Sequence, residues 1–381
     1  MTPTPENGFS PAEYARYSRH IIIPEFGLEA QQRLKAARVL VIGSGGLGSP
    51  VLLYLAAAGV GHIGIVDFDT VDDSNLQRQV IFGTGDVGLS KARQARARIL
   101  DLNPHIEVTV HETRLDSSNA REIIGDYDLV ADGTDNFPTR YLVNDACVLE
   151  GKTNVYASIF QFEGQVSVFN HLLADGSRGP NYRDLFPEPP PPGLVPSCAE
   201  GGVLGVLPGV IGSMQALEVI KVITGVGEPL AGRIFLFDAA AFQTRILNVR
   251  KQADTRIERL IDYQVFCGIG QQEETPVEEI SVHELAAWRE SGSPFQLIDV
   301  REPHEYGIAN LGGELIPLGV LEQHLDRIAT DRSVVIHCRS GIRSARAIRQ
   351  LREAGFGGTL LNLAGGILAY AREVDSSLNT Y

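Results

Sequence analysis

Two short segments of this chain place reactive residue types at useful spacings. The first is Gly43-Ser-Gly-Gly-Leu-Gly48, which follows the apolar run Arg38–Ile42. Gly43, Gly45, Gly46 and Gly48 let a backbone approach a phosphate, and a helix starting there supplies N–H donors and positive potential. Asp67 closes the next apolar run, where a carboxylate would meet a ribose hydroxyl. A nucleotide site follows from these residues, with NAD as the usual occupant; a tight turn without a ligand is the bland alternative. The residues beyond Asp67 fit NAD poorly. Asp69, Asn75 and Arg78 lie in the following loop, Lys91 at a helix start and Asp135 at a strand end. Two cations, an amide and carboxylates around a phosphate loop suit a triphosphate with Mg²⁺, which takes one or two carboxylates plus phosphate oxygens.

The second segment is Cys338-Arg-Ser-Gly-Ile-Arg343, between the apolar run Ser333–His337 and a predicted helix. Successive N–H groups of such a loop form an anion-binding nest. With Arg339 and Arg343 alongside, the loop favours a sulfur anion, so Cys338 reads as a nucleophile rather than an inert core cysteine.

The elements that must position these groups alternate. Arg38–Ile42, residues 49–59 and Ile63–Val66 read as strand, helix and strand, a βαβ unit. A helix over 90–102 and strands at 107–111 and 127–132 continue the pattern, which predicts a doubly wound sheet. Residues 11–37 read as one polar helix. After residue 150 the pattern becomes antiparallel, with strands near 165–170, 234–237 and 244–249, and a buried helix over about 208–225. Pro187–Gly193 reads as a stiff exposed connection. Residues 271–280 carry four glutamates and no base, a linker signature. Beyond it, strands at 295–300, 333–337 and 360–363 and helices at 344–354 and 366–374 predict a second, small α/β domain. The expected domains are residues 1–270 and 281–381, joined by 271–280.

With 44% hydrophobic and 21% charged residues, a net charge of −14 and no basic footprint, a nucleic-acid or anionic-membrane partner is not expected. Four dispersed cysteines argue against a disulfide framework. No apolar run suggests a membrane span, and residues 1–10 lack signal-peptide character, so a cytoplasmic location is expected.

Arg16-Tyr-Ser-Arg-His-Ile-Ile-Ile-Pro24, the glycine loop, Asp67–Gln79, Gly133-Thr-Asp-Asn136, Glu163-Gly-Gln-Val166 and Pro196-Ser-Cys-Ala-Glu200 resemble the MoeB/ThiF family, relatives of the ubiquitin-activating enzymes. The resemblance covers about residues 11–268. It implies a Rossmann-like mixed sheet that uses ATP and Mg²⁺ to adenylate the C-terminal glycine of a ubiquitin-like sulfur carrier ending in Gly-Gly. By the same resemblance, Gly43, Gly45, Gly46 and Gly48 line the phosphates and Asp67 holds the ribose. Asn75, Arg78 and Lys91 hold phosphates, Arg19 reaches ATP, and Asp135 coordinates Mg²⁺. It also implies a homodimer in which the counterpart of Arg78 comes from the other subunit. From the residues alone, Asp69 reads equally as a loop cap and Arg19 as a surface charge. The family commonly holds zinc with two Cys-x-x-Cys pairs. Here those positions read Asn181-Tyr-Arg-Asp184 and Gln264-Val-Phe-Cys267, so no structural zinc is expected, and Cys267 and Cys147 read as small buried residues.

The Cys338 loop, Leu297-Ile-Asp-Val-Arg-Glu-Pro-His-Glu-Tyr306 and Asn362-Leu-Ala-Gly-Gly366 resemble rhodanese sulfurtransferases over about residues 275–375. This implies a Cys338 persulfide charged by a donor such as a cysteine desulfurase or thiosulfate, with Asp299 orienting the loop arginines. Cys198, marked as functional by the first resemblance, is the candidate second thiol; a direct link to the carrier and a passive loop residue are the alternatives. Two other classes stay open on the sequence: an NAD-dependent oxidoreductase with an appended domain, and a non-catalytic sulfur-relay scaffold.

Overall fold

The computed structural model describes residues 8–191, 201–268 and 276–380. The chain divides into two compact units, Met1–Gln271 and Gln272–Tyr381.

The first unit begins with helices α1 (Pro11–Ile21) and α2 (Gly27–Ala36). They replace the single helix expected over 11–37. Ser10 and Glu13 form a reciprocal capping box that starts α1. Pro24, which has no N–H to donate, lies in the turn between the two helices. Strand β1 (Arg38–Ile42), α3 (Gly48–Ala58) and β2 (His62–Val66) form the expected βαβ unit. Next come α4 (Lys91–Leu102), β3 (Glu107–His111), α5 (Ala120–Gly125), β4 (Leu129–Asp132), α6 (Phe137–Leu149) and β5 (Thr153–Phe160). Then follow β6 (Glu163–Phe169), α7 (Tyr182–Leu185), α8 (Leu207–Thr224), β7 (Arg233–Asp238), β8 (Gln243–Asn248) and α9 (Tyr263–Phe266).

Eight strands make one mixed sheet in the order β3-β2-β1-β4-β5-β6-β7-β8. The first five are parallel and the last three antiparallel. The parallel strands read as apolar runs because both faces are covered. In β1, Val39 and Val41 pack with Leu52 and Leu55 of α3, whereas Leu40 and Ile42 pack with Tyr141 and Val143 of α6. Helix α8 is long and apolar enough to cross a membrane, contrary to the expectation that no such run exists. It packs against α3, β5 and β6 as a core helix. At Gly212 a β-carbon would stand 2.6 Å from the Leu47 carbonyl oxygen, so glycine sets that close approach.

The second unit comprises β9 (Glu279–Ile280), α10 (Val282–Ser291), β10 (Phe295–Asp299), α11 (Pro303–Ile308), β11 (Glu314–Leu315), β12 (Ser333–His337), α12 (Ile342–Glu353), β13 (Leu360–Leu363) and α13 (Gly366–Glu373). Its five strands are all parallel, in the order β11-β10-β12-β13-β9. β12 sits in the middle, so the loop that leaves its C-terminal end opens at the centre of the sheet edge.

The turn between β1 and α3 depends on one backbone contact. A β-carbon on Gly48 would lie 1.9 Å from the Gly43 carbonyl oxygen, whereas one on Gly45 would meet nothing nearer than 3.5 Å. Gly48→Ala is therefore expected to lower the stability of the first unit by about 2 kcal/mol or more. Gly45→Ala should fold like the parent. Denaturant midpoints followed by circular dichroism would check both.

Candidate functional sites

In the first unit the ends of β1, β2 and β4 converge on one cavity. Gly43, Gly45, Gly46, Asp67, Arg78, Lys91 and Asp135 all line it, so most of the proposed nucleotide ligands come together. Gly43 has a φ of 86°, a left-handed conformation that favours glycine. The Asp67 carboxylate organises the loop. One oxygen accepts from the Ser44 N–H at 2.8 Å and the Ser44 hydroxyl at 2.7 Å, and the other from the Asp69 N–H at 3.0 Å. Lys91 is buried, with Nζ 3.3 Å from the Asp69 carboxylate. Asp69 thus pairs a cavity cation rather than merely capping a loop. Arg78 lines this chain's own cavity beside Gly46, where a β-carbon would stand 3.6 Å from its Cγ.

Three expected ligands lie outside the cavity lining. Gly48 starts α3 and serves the close turn just described. Asn75 sits in the short turn Asp73–Asn75, and its carbonyl accepts from the N–H groups of Arg78 and Gln79 at 3.0 and 2.9 Å. Arg19 is exposed on α1.

Asp135 is exposed in a turn that is fixed from beneath. The Thr134 N–H donates to Asp132 Oδ1 at 3.0 Å, and Arg140 Nη2 donates to the Thr134 carbonyl at 3.1 Å. Asn136 caps α6 by accepting from the Thr139 N–H at 3.0 Å. Asp132 is fully buried, and burial raises its pKa although Arg140 pulls the other way. The sequence reading missed Arg140. Its signal was an arginine four residues after the cap of α6.

A different network occupies the positions where the resemblance implied zinc. Asn181 Nδ2 donates to Asp184 at 2.8 Å, and the Gln252 N–H donates to the other Asp184 oxygen at 2.9 Å. Arg183 grips Asp145 through Nε at 2.8 Å and Nη2 at 2.7 Å, and the Tyr263 hydroxyl donates to the same carboxylate at 2.7 Å. Burial pushes the Cys267 thiol up to about 11, against the pull of Arg183. One thiol among engaged amides and carboxylates does not fit a four-thiolate zinc site. Cys147 is fully buried and its thiol is likewise raised by burial. Cys198 lies outside the described residues.

In the second unit Cys338 is buried at the C-terminal end of β12. Its Sγ accepts from the Gly341 N–H at 3.2 Å and lies 3.4 Å from the Ser344 hydroxyl, which in turn donates to Asn362 at 2.6 Å. The back of the loop rests on α13. The Ile367 and Leu368 N–H groups donate to the carbonyls of Cys338 and Arg339 at 2.9 and 3.1 Å. A β-carbon on Gly366 would lie 2.6 Å from both carbonyl oxygens, which explains the Gly365-Gly366 pair. Arg343 is held by Glu305 of α11 in two bonds of 2.6 Å. The structure corrects the role expected of Asp299: it forks with Arg301, fully buried, through bonds of 2.6 to 3.0 Å, and not with the loop arginines. Glu305, which the sequence reading passed over, orients Arg343.

Two family models match the chain: ThiF family over residues 17–258 and rhodanese-like domain over 281–373. A probable adenylyltransferase/sulfurtransferase MoeZ of Mycobacterium tuberculosis is 51% identical over 99% of this chain and 97% of its own length. A sulfur carrier protein adenylyltransferase of Thermus thermophilus is 54% identical over 68% of this chain and 97% of its own length. The adenylyltransferase and sulfurtransferase MOCS3 of Culex quinquefasciatus is 42% identical over 97% and 90%. Among solved structures, Escherichia coli MccB with ATP matches at a TM-score of 0.53 and 22% identity, covering 64% of this chain and 73% of that one. That likeness is one of fold.

His337, next to Cys338, is fully buried and neither ring nitrogen has a hydrogen-bond partner. Burial pushes its pKa from 6.5 down to about 4, outweighing the nearby Asp299 carboxylate. The unfolded chain therefore binds this proton more readily. The stabilising effect is complete above pH 6.5 and is lost as the pH falls towards 4, by about 3 kcal/mol in all. Calorimetry between pH 7.5 and 4 should show the second unit weakening over this range, and His337→Phe should flatten the fall. Parallel curves for the two proteins would refute the assignment.

Proposed function

Because the chain belongs to the ThiF family and continues into a rhodanese-like domain, we infer that it adenylates the C-terminal glycine of a ubiquitin-like sulfur carrier with ATP and then converts the adenylate to a thiocarboxylate. The observation that carries this reading is the presence, in one chain, of a glycine-loop cavity lined by Arg78, Lys91 and Asp135 and of a complete Cys338–Arg343 loop. Near-full-length similarity to proteins named adenylyltransferase/sulfurtransferase supports it. An NAD-dependent oxidoreductase is not favoured, and neither is a non-catalytic relay scaffold, since the nucleophile loop is intact.

The first step needs no general base, because a terminal carboxylate is already ionised at neutral pH. A carboxylate oxygen attacks the α-phosphorus of ATP, and the bond to pyrophosphate breaks. The glycine loop and the α3 N-terminus hold the phosphates, while Arg78 and Lys91 neutralise the charge that develops. Asp135, exposed at the cavity and accepting from Asn136 Nδ2 at 3.3 Å, would suit Mg²⁺; bound there, the ion would supply further charge neutralisation.

In the second step Cys338 takes a sulfane sulfur from a desulfurase or thiosulfate, and the Gly341 N–H and the arginines stabilise the sulfur anion. The terminal sulfur attacks the acyl carbon and AMP leaves, giving an acyl disulfide. A second thiolate attacks the Cys338 sulfur and releases the thiocarboxylate, leaving an enzyme disulfide that a cellular thiol reduces. Cys198 is our candidate for that thiol. We also propose a homodimer, supported by the exposed Leu204, Val206, Val210 and Leu217 on and just before α8, and a cytoplasmic setting that keeps these thiols reduced.

Pyrophosphate exchange and thiocarboxylate formation separate the steps. Asp135→Ala should lower carrier-dependent exchange about 100-fold. Cys338→Ala should retain exchange and lose thiocarboxylate formation. Cys198→Ala should keep both half-reactions and accumulate a carrier–enzyme adduct. Wild-type protein that exchanges no pyrophosphate with any carrier ending in Gly-Gly would sink the reading, and a Cys198→Ala enzyme that releases thiocarboxylate at the wild-type rate in a single turnover without added thiol would remove Cys198 from it.

A further inference from the structure

The most conspicuous buried charge not used by the chemistry above is Arg140. It is 8% exposed, on the first turns of α6, five residues after Asp135. Its guanidinium lies over two aromatic rings, 5.5 Å from the Phe137 centroid and 5.3 Å from that of Tyr156. It also interacts with the Tyr182 side chain and the Asp132 carboxylate. A cation this deep persists only where fixed partners replace its water. Its one close hydrogen bond to the backbone, at 3.1 Å, goes to the Thr134 carbonyl. The N–H of the same residue is held by Asp132 at 3.0 Å. Both backbone polar groups of Thr134, its N–H and its carbonyl, are therefore pinned to side chains immediately before Asp135.

Arg140 is itself braced. One turn further along α6, Asn144 Oδ1 accepts from the Tyr182 N–H at 2.7 Å, and Asp145 is gripped by Arg183 and Tyr263. These bonds tie α6 to α7 and α9. They also fix Tyr182, whose ring packs 5.4 Å from that of Tyr156 and whose side chain interacts with Arg140. The chain of contacts runs from the Asp145–Arg183 pair through Tyr182 to Arg140, and from Arg140 to the Asp135 turn.

We propose that Arg140 is a positioning residue of the adenylation site, holding the Gly133–Asn136 turn so that Asp135 faces the nucleotide, and that the Asp145–Arg183–Tyr263 clasp exists to hold Arg140 in place through Tyr182. The kinetic consequence rests on the function inferred above; the structural one does not.

Two variants in the full-length chain test this. Arg140→Met keeps the volume and removes the charge, and Tyr182→Phe removes one hydroxyl. Backbone hydrogen–deuterium exchange of residues 133–137 reads the turn directly, without substrate. For Arg140→Met, exchange there should quicken about tenfold, with the remainder of the first unit unchanged. The kcat of pyrophosphate exchange should fall about tenfold. Arg140→Lys, which keeps a donor for the Thr134 carbonyl, should recover part of both losses. Tyr182→Phe should give the same changes at about two- to threefold, with an unaltered unfolding midpoint. Unchanged exchange at 133–137 in Arg140→Met, or quickening spread evenly over the whole unit, overturns the proposal. If Arg140→Met does not fold, Tyr182→Phe decides by the same criterion. If wild type lacks pyrophosphate exchange, the functional reading fails while the deuterium measurement still judges Arg140.

Discussion

In both units a reactive loop is pressed against backbone where no β-carbon fits. In the first, Gly48 lets the start of α3 close on the Gly43 carbonyl, so the helix N-terminus and the glycine loop point into one cavity. In the second, Gly366 lets the start of α13 reach the carbonyls of Cys338 and Arg339 from behind. With those carbonyls turned towards α13, the Gly341 N–H is free to face the sulfur. A loop that must bind an anion needs its N–H groups inward, and these contacts take the carbonyls outward. The central strands β1 and β12 carry the two loops, and each is bordered by parallel neighbours.

The second shared rule is that buried charge is matched locally. Lys91 meets Asp69, Arg183 meets Asp145, Arg301 meets Asp299 and Arg343 meets Glu305. Pairs of this kind add little net stability, because desolvation offsets the attraction, but losing one partner is costly. Their use here is geometric. Forked arginine–carboxylate bonds fix direction as well as distance, which suits residues that orient a turn or a loop. His337 shows the opposite case: a buried imidazole 3.6 Å from Asp299, with no hydrogen bond to either ring nitrogen among the described residues, stays neutral because burial outweighs the carboxylate, and it makes the second unit sensitive to acid.

At the positions where the sequence resemblance implied zinc ligands, side-chain bonds hold three helices together. Asn144, Asp145, Asn181, Arg183, Asp184 and Tyr263 join α6, α7 and α9 without thiolates. The aromatic cluster around Tyr141, Tyr182 and Phe266 covers that network and raises the strength of each polar bond by excluding water.

The sequence by itself determined the two α/β units, the strand–turn–helix setting of both loops, and the identity of most groups that line them. Those signals are local: apolar runs, glycines at fixed offsets, and a cysteine between a strand and a helix. It also misread a local feature where context overrode it, as when Pro24 split the expected helix over 11–37. Only the tertiary structure decided which charges meet. Arg183 finds Asp145 and Arg343 finds Glu305, each 38 residues away, and Tyr263 reaches Asp145 across 118. Asp299 turns to Arg301 rather than to Arg339 or Arg343. Such pairings depend on strand order and helix register, which no run of neighbouring residues encodes. For the same reason Arg140, an ordinary arginine in the sequence, becomes in the fold the residue beneath Asp135.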